Sequence, residues 1–311
     1  MDLAVLFSNL VGLFLLIGVG FFAVRGGLLP PESSRPMSTL LMKITVPATI
    51  VHSMLRPFDP GFLRLGLSML LVGAVMFPLF GVLSLGLSRL LRVPQGRRGM
   101  WCCCATFCNS GFMGFPVALA LFGEEGLTLT VILSIPFNLL MYSAGAKMVC
   151  MDLPQDGSAR PISWGRAVFS VINLSMAVGL VLYFTQFQLP QALLAPLGYL
   201  SDATTPLSMI ITGMNLSQGS VSDVLRDRDA FTASAARLLL FPAAAWGLMR
   251  LVPGLSPLVL GAALVNLSMP SPAAATLLGE QYGGCTQLAA RTVFLSSLLC
   301  LATVPLVSLL L

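Results

Sequence analysis

The chain has 311 residues, of which 56% are hydrophobic and only 9% charged, with a mean hydropathy of +0.91. A soluble domain carries about 25% charge, so there is too little polar surface here to coat a water-soluble globule, and lipid is the solvent for most of the molecule. The formal net charge is +5, from 17 Lys and Arg against 12 Asp and Glu. The basic residues lie between apolar runs rather than in an arm or patch, which argues against a nucleic-acid partner and for membrane-topology signals.

A bilayer-spanning helix needs about 20 mainly apolar residues. Charged residues, Pro and Gly divide the chain into ten such runs, near 3–24, 37–55, 62–88, 99–122, 126–149, 167–187, 192–216, 230–252, 256–279 and 287–310. The start, MDLAVLFSNL, lacks the basic stretch of a cleavable leader, so the first run is read as a retained span. Arg25 and Arg35 follow run 1, and Arg89, Arg92, Arg97 and Arg98 follow run 3. Lys147, Arg160 and Arg166 surround the link after run 5, and Arg226 and Arg228 follow run 7. The alternate loops are poorer in basic residues, with Arg56 and Arg64 after run 2, Glu124 and Glu125 after run 4 and Arg250 after run 8. The positive-inside rule then puts the odd-to-even loops in the cytoplasm and both termini on the other side.

The longest polar stretch, MDLPQDGSARPISWGR at 151–166, falls at the midpoint and is read as a cytoplasmic linker between residues 1–150 and 167–311. The two halves align weakly. VPATIVHSML from Val46 pairs with TPLSMIITGM from Thr205 at an offset of 159 residues, and FPVALALFGEEG from Phe115 pairs with SPAAATLLGEQY from Ser271 at an offset of 156. Each half holds five runs. An odd number makes the second copy enter the membrane upside down, the inverted repeat of secondary transporters.

Within run 4 the chain reads CNSGFMGFP, 108–116, and within run 9 it reads NLSMPSP, 266–272. Proline removes a donor and clashes with the preceding turn, and glycine frees the backbone. Both spans are therefore predicted to unwind near mid-membrane. Unwound backbone in hydrocarbon costs several kcal/mol per unsatisfied group, so it survives only where protein or a water-filled cavity lines it. Paired interrupted helices at matching places in two halves point to a transport site. The half-helices after the breaks would turn their free N–H groups and positive dipole ends to the cavity, which suits an anion such as a carboxylate. The candidate substrate-binding residues are Asn109, Ser110, Gly111, Gly114, Pro116, Asn138, Asn266, Ser268, Pro270 and Ser271. Asn138 shares a helix face with Tyr142.

His52, the one histidine, and Arg291, at the start of run 10, are candidate coupling groups. Arg291 has a competing loop-pairing role, with Glu280 as partner. No resident cofactor is expected. The coupling ion is H⁺ or Na⁺, the latter held by backbone carbonyls at the breaks. No Walker motif is present, so ATP is not the direct energy source. Seven cysteines include Cys102, Cys103, Cys104 and Cys108, but no second ligand pair accompanies them and no zinc site is expected. Cys104 and Cys108, four apart, would share one helix face. A membrane enzyme would need a carboxylate cluster, a metal set or a nucleophile–base pair, and a sensor would need a soluble output domain.

Three stretches resemble the auxin efflux carrier family of membrane transporters, which includes bacterial malonate-transporter-like members. These are ITVPATIVHSM at 44–54, CNSGFMGFPVALALFGEEG at 108–126, and NLSMPSPAAATLLGEQYGGCTQLAARTVFLSSLLCLATVPL at 266–306. The resemblance covers nearly the whole chain. It implies an all-α integral membrane protein with a bile-acid-transporter-like fold of ten helices and broken crossover helices 4 and 9. It also implies a scaffold of helices 1, 2, 6 and 7, a transport bundle of 3–5 and 8–10, elevator-like movement of a small organic anion, and residence in the inner (plasma) membrane. A second copy docked through the scaffold helices is the protein partner it suggests. The chain departs from the family's common Gly-Asn with Cys108-Asn109. Related arsenite permeases carry a cysteine in this region, which leaves metalloid efflux through Cys102–Cys108 as the alternative.

Overall fold

The computed structural model describes residues 3–152, 171–218, 224 and 226–309. All regular structure among them is helical. In chain order the helices are α1 (Leu3–Arg25), α2 (Ser34–Leu40), α3 (Val46–Met54), α4 (Pro60–Leu90), α5 (Arg98–Thr106), α6 (Phe115–Leu140), α7 (Ala146–Cys150), α8 (Val171–Thr185), α9 (Gln191–Ser217), α10 (Arg228–Ala235), α11 (Phe241–Arg250), α12 (Pro257–Leu267), α13 (Ala274–Tyr282) and α14 (Thr286–Ser308). Single π-helical turns join α2 to α3, α6 to α7 and α10 to α11, and one at Ser110–Gly114 opens α6. Four stretches are long and apolar enough to cross a bilayer: Pro60–Leu90, Arg98–Cys150, Arg228–Arg250 and Thr286–Ser308. Val11–Arg25, Val171–Thr185 and Pro257–Leu267 are shorter apolar helices. The linker predicted at 151–166, with Arg160 and Arg166, and the first residues of run 6 lie outside the described residues apart from Met151 and Asp152.

The stretch 98–150 doubles back on itself. A straight helix of that length would separate its ends by about 80 Å, yet the Gly99 N–H donates to Asp152 Oδ2 at 2.5 Å. The reversal sits at Gly123, with φ 64° and ψ −160°, a conformation open to a residue without Cβ. This divides the stretch where the sequence places the boundary between runs 4 and 5.

The loops collect at two ends. At one, Gln218 donates to Pro31 O and Ser34 Oγ, and Arg97 and Arg291 bind Asp227. At the other, Arg56 pairs with Glu125 at 3.0 Å, Gln186 donates to Arg56 O, and the Asp59 N–H meets the Tyr183 hydroxyl. Asp59 also caps α4, accepting from the Gly61 and Phe62 N–H groups.

Packing divides the helices into two sets. α1 lies along α9, and α3 packs on α8 and α9. The α1–α9 seam is tight because small residues face backbone there. A Cβ on Gly20 would stand 1.9 Å from Ile210 O, and one on Gly213 would stand 1.9 Å from Ile17 O. In lipid, close packing of small residues is what holds helices together. Thr49 Oγ1 donates to Thr204 Oγ1 at 2.7 Å across the α3–α9 contact. In the second set α4 packs on α5 and α6, α12 crosses α6, and α14 lies against α10, α5 and α13.

Candidate functional site

Both predicted breaks are present, and they cross. α5 ends at Thr106 and Phe107 is extended; α12 ends at Leu267, and α13 begins only at Ala274. The backbone groups freed by the breaks are satisfied by the opposite break and by α14. The Asn109 N–H donates to Pro270 O at 2.7 Å, Ser271 Oγ donates to Cys104 O at 2.8 Å, and the Ser271 N–H donates to Ser296 Oγ at 3.0 Å. This is the protein-lined environment that irregular backbone needs inside a membrane.

The asparagines lock the crossing. Asn266, fully buried, donates to Ser110 Oγ at 3.0 Å, and Cys108 Sγ approaches its Oδ1 at 3.6 Å. Asn109 Oδ1 accepts from the Phe112 N–H at 3.3 Å and so caps the second half-helix. Gly114 is required by contact, since a Cβ there would lie 2.3 Å from Asn266 Nδ2. Pro116 follows the π-helical turn that opens α6 and withholds a backbone N–H just where that turn gives way to the α-helix. Ser268 Oγ turns back to Leu264 O at 2.6 Å.

A cavity of about 50 Å³, room for a few waters, lies at this point and is bordered by Asn109–Phe112 from one break and Pro272–Ala274 from the other. Asn138 and Tyr142 line its wall, with the Asn138 amide donating to Ser134 O. The N-terminal ends of two half-helices therefore border one space, each with a positive dipole end. A second cavity of about 460 Å³ shares Asn109, Phe112 and Ala273 and runs between the end of α9 and the first half of α14, toward the Gln218 end. Asn109, Ser110, Gly111 and Asn138 line the small cavity. Gly114, Pro116, Asn266, Ser268, Pro270 and Ser271 are buried in the crossing without bordering either cavity.

Other sequence-derived candidates lie elsewhere. His52 is half-buried in the last turn of α3 and borders neither cavity. Arg291 belongs to the Gln218 end, where its Nη1 meets Asp227 Oδ2 at 2.7 Å; the Glu280 side chain is outside the described ones. Asp227 also takes Arg97 at 2.7 Å and caps α10. Burial would raise the Asp227 carboxyl, but the hydrogen bonds from Arg291 and Arg97 outweigh it and hold it below the usual carboxylate value. Cys104 and Cys108 do not share a helix face: α5 stops at Thr106, so Cys108 lies in the break. Among the described residues no three His, Cys, Asp or Glu side chains gather into a metal set.

Arg237 was missed. It is completely buried and reaches the last residues of both first half-helices. Nη1 donates to Thr106 O at 2.8 Å and Ala105 O at 3.3 Å, and Nη2 donates to Leu267 O. A charge at helix centre costs about 2.5–3.5 kcal/mol on insertion scales. One arginine inside the apolar run ASAARLLLFPAA was the signal that could have found it.

The family profile described as "Membrane transport protein" matches residues 5–155 and 158–308. The chain belongs to this family. It is the auxin efflux carrier family to which the sequence motifs pointed. Relatives of this transporter include an uncharacterized transporter of Methanocaldococcus jannaschii, 27% identical over 307 residues, with 94% of each chain covered. An uncharacterized transporter of Methanothermobacter thermautotrophicus is 26% identical over 300 residues, covering 96% of each. A protein of Rhizobium meliloti named "Putative malonate transporter" is 23% identical over 296 residues, covering 94% of this chain and 91% of its own.

Proposed function

We propose that this transporter moves a small organic anion across the inner membrane, a carboxylate or dicarboxylate such as malonate or an auxin-like weak acid, by an elevator-type movement. The carrying observation is the pair of half-helix N-termini that border one cavity at the crossing, at Asn109–Phe112 and Pro272–Ala274. Two positive dipole ends facing one space favour a carboxylate. The name of the Rhizobium meliloti relative agrees with that substrate class.

The transporter has ten spans, as two inverted five-helix repeats divided at the 151–166 linker. The matching broken spans support this, as does a family match in two stretches that part at residues 156–157. α1–α3, α8 and α9 are the scaffold, and α4–α7 with α10–α14 are the moving bundle; the division in packing supports that assignment. The loop end holding Arg97, Arg226, Arg228 and Arg291 is cytoplasmic, and both termini are outside. The larger cavity then opens inward.

The test is flux into proteoliposomes for a panel of mono- and dicarboxylates, with arsenite included, under imposed potential and pH gradients. Moving an anion inward against an inside-negative potential costs about 2.3 kcal/mol per charge per 100 mV. Saturable carboxylate flux that responds to potential or pH is the expected result. Arsenite movement without carboxylate movement would reverse the assignment.

A further inference from the structure

Four half-helix ends meet at the crossing, and they sort by polarity. The two N-terminal ends border the small cavity. The two C-terminal ends, at Thr106 and Leu267, meet Arg237 instead. A helix C-terminus carries orphaned carbonyls and partial negative charge. Two of them side by side, away from water, need a cation, and unwound crossings can take it from a bound ion. Here it comes from a third element, the π-helical turn Ala236–Leu240 between α10 and α11.

The surroundings fit a charged guanidinium. Its carbonyl set is drawn from both breaks at once, through Ala105, Thr106 and Leu267. The group also lies over the Phe80 ring, 5.5 Å from its centroid, and Phe80 stacks on Phe241 at 4.8 Å. Among the described residues no carboxylate pairs with it, and the Arg56–Glu125 pair and the Arg97, Arg291, Asp227 and Asp229 cluster lie at the loop ends. The helix ends themselves are its counter-charge.

We propose that Arg237 is a tethered cation occupying the carbonyl site of the crossing where a mobile coupling cation would otherwise bind, so that transport does not use Na⁺. It is a positioning residue: by holding both C-terminal ends it fixes where the two N-terminal ends converge on the anion. The alternative of Na⁺ held by carbonyls of the breaks loses the Leu267 carbonyl to this guanidinium. The consequence for flux rests on the anion-transport reading; the cation site does not.

The test uses the full chain, purified and reconstituted, as wild type, Arg237→Ala and Arg237→Lys. Wild-type carboxylate flux is expected to be equal in sodium and in choline media. Arg237→Ala is expected to lose at least about tenfold in flux. Millimolar guanidinium, far below denaturing concentrations, should restore much of that loss and raise the melting temperature of Arg237→Ala but not of wild type. Arg237→Lys, which keeps a charge but reaches fewer carbonyls, should fold and fall between the two. Wild-type flux that requires a Na⁺ gradient overturns the proposal, as does a folded Arg237→Ala whose melting ignores guanidinium. Should Arg237→Ala not survive purification, a Lys variant equally lost counts against it and a folded, active one supports it. If wild type moves no carboxylate at all, the transport reading fails on its own, and the melting comparison still decides the cation site.

Discussion

At the residue scale, the crossing depends on contacts with little room to relax. Gly114 lies against Asn266, whose amide holds Ser110. Gly114→Ala should force that amide away and destabilise the fold by roughly 1–3 kcal/mol, read as a lower melting temperature in detergent; unchanged melting would mean the amide is free to move. Asp227 offers a pH test. Its folded pKa lies below the ordinary value of 3.8 because of the Arg291 and Arg97 hydrogen bonds, so its contribution is complete above the unfolded value. It disappears as pH falls through the folded one. Asp227→Asn should therefore cost roughly 1.5–3 kcal/mol near neutral pH. Its melting difference from wild type should close only in acid below that 3.8 reference. A difference that stays constant with pH would take the charge out of the explanation.

At the scale of elements, the two breaks were legible because Asn, Gly, Ser and Pro cluster within a few residues there, whereas single prolines such as Pro78 and Pro305 stay inside helices. CNSGFMGFP and NLSMPSP marked them with no knowledge of their partners. Their extent was not. Cys104 and Cys108 looked like neighbours on a helix face, but the helix ends at Thr106, between them. Nor were partners far along the chain legible: Asp227 as the hub for Arg97 and Arg291, or Arg237 reaching Thr106 and Leu267, depend on packing that spacing does not encode. The α1–α9 seam is another case, since GVGFF around Gly20 could as well have faced lipid. Gly20→Ala would push a methyl into the Ile210 carbonyl, and backbone cannot swing aside as a side chain can. It should destabilise by about 1–3 kcal/mol, whereas Gly12→Ala, with open space around the new atom, should change melting little. Equal effects at the two sites would contradict the close seam.

At the scale of the whole molecule, the loops at each end are tied by contacts, while sidedness comes from charge. Single cysteines placed at Ser33 and Pro57, in a background without the native seven, should react with an impermeant thiol reagent from opposite sides of the membrane. Ser33 is expected on the cytoplasmic side and Pro57 on the outside. Reaction of both from one side would break the topology. The same molecule-wide view separates charge by function: anionic helix ends are closed by Arg237, and cationic helix ends are left facing a cavity.

The helix ends that face the cavity would hold the anion, and Gly111 gives direct access to them. Gly111 borders the small cavity, and a Cβ there would meet nothing within 4 Å. Gly111→Asp places a tethered carboxylate beside both half-helix N-termini, while Gly111→Asn places a neutral group of the same shape. Carboxylate flux measured in proteoliposomes should be lost in the Asp variant and substantially kept in the Asn variant. Equal flux in the two variants would contradict an anion site at the crossing.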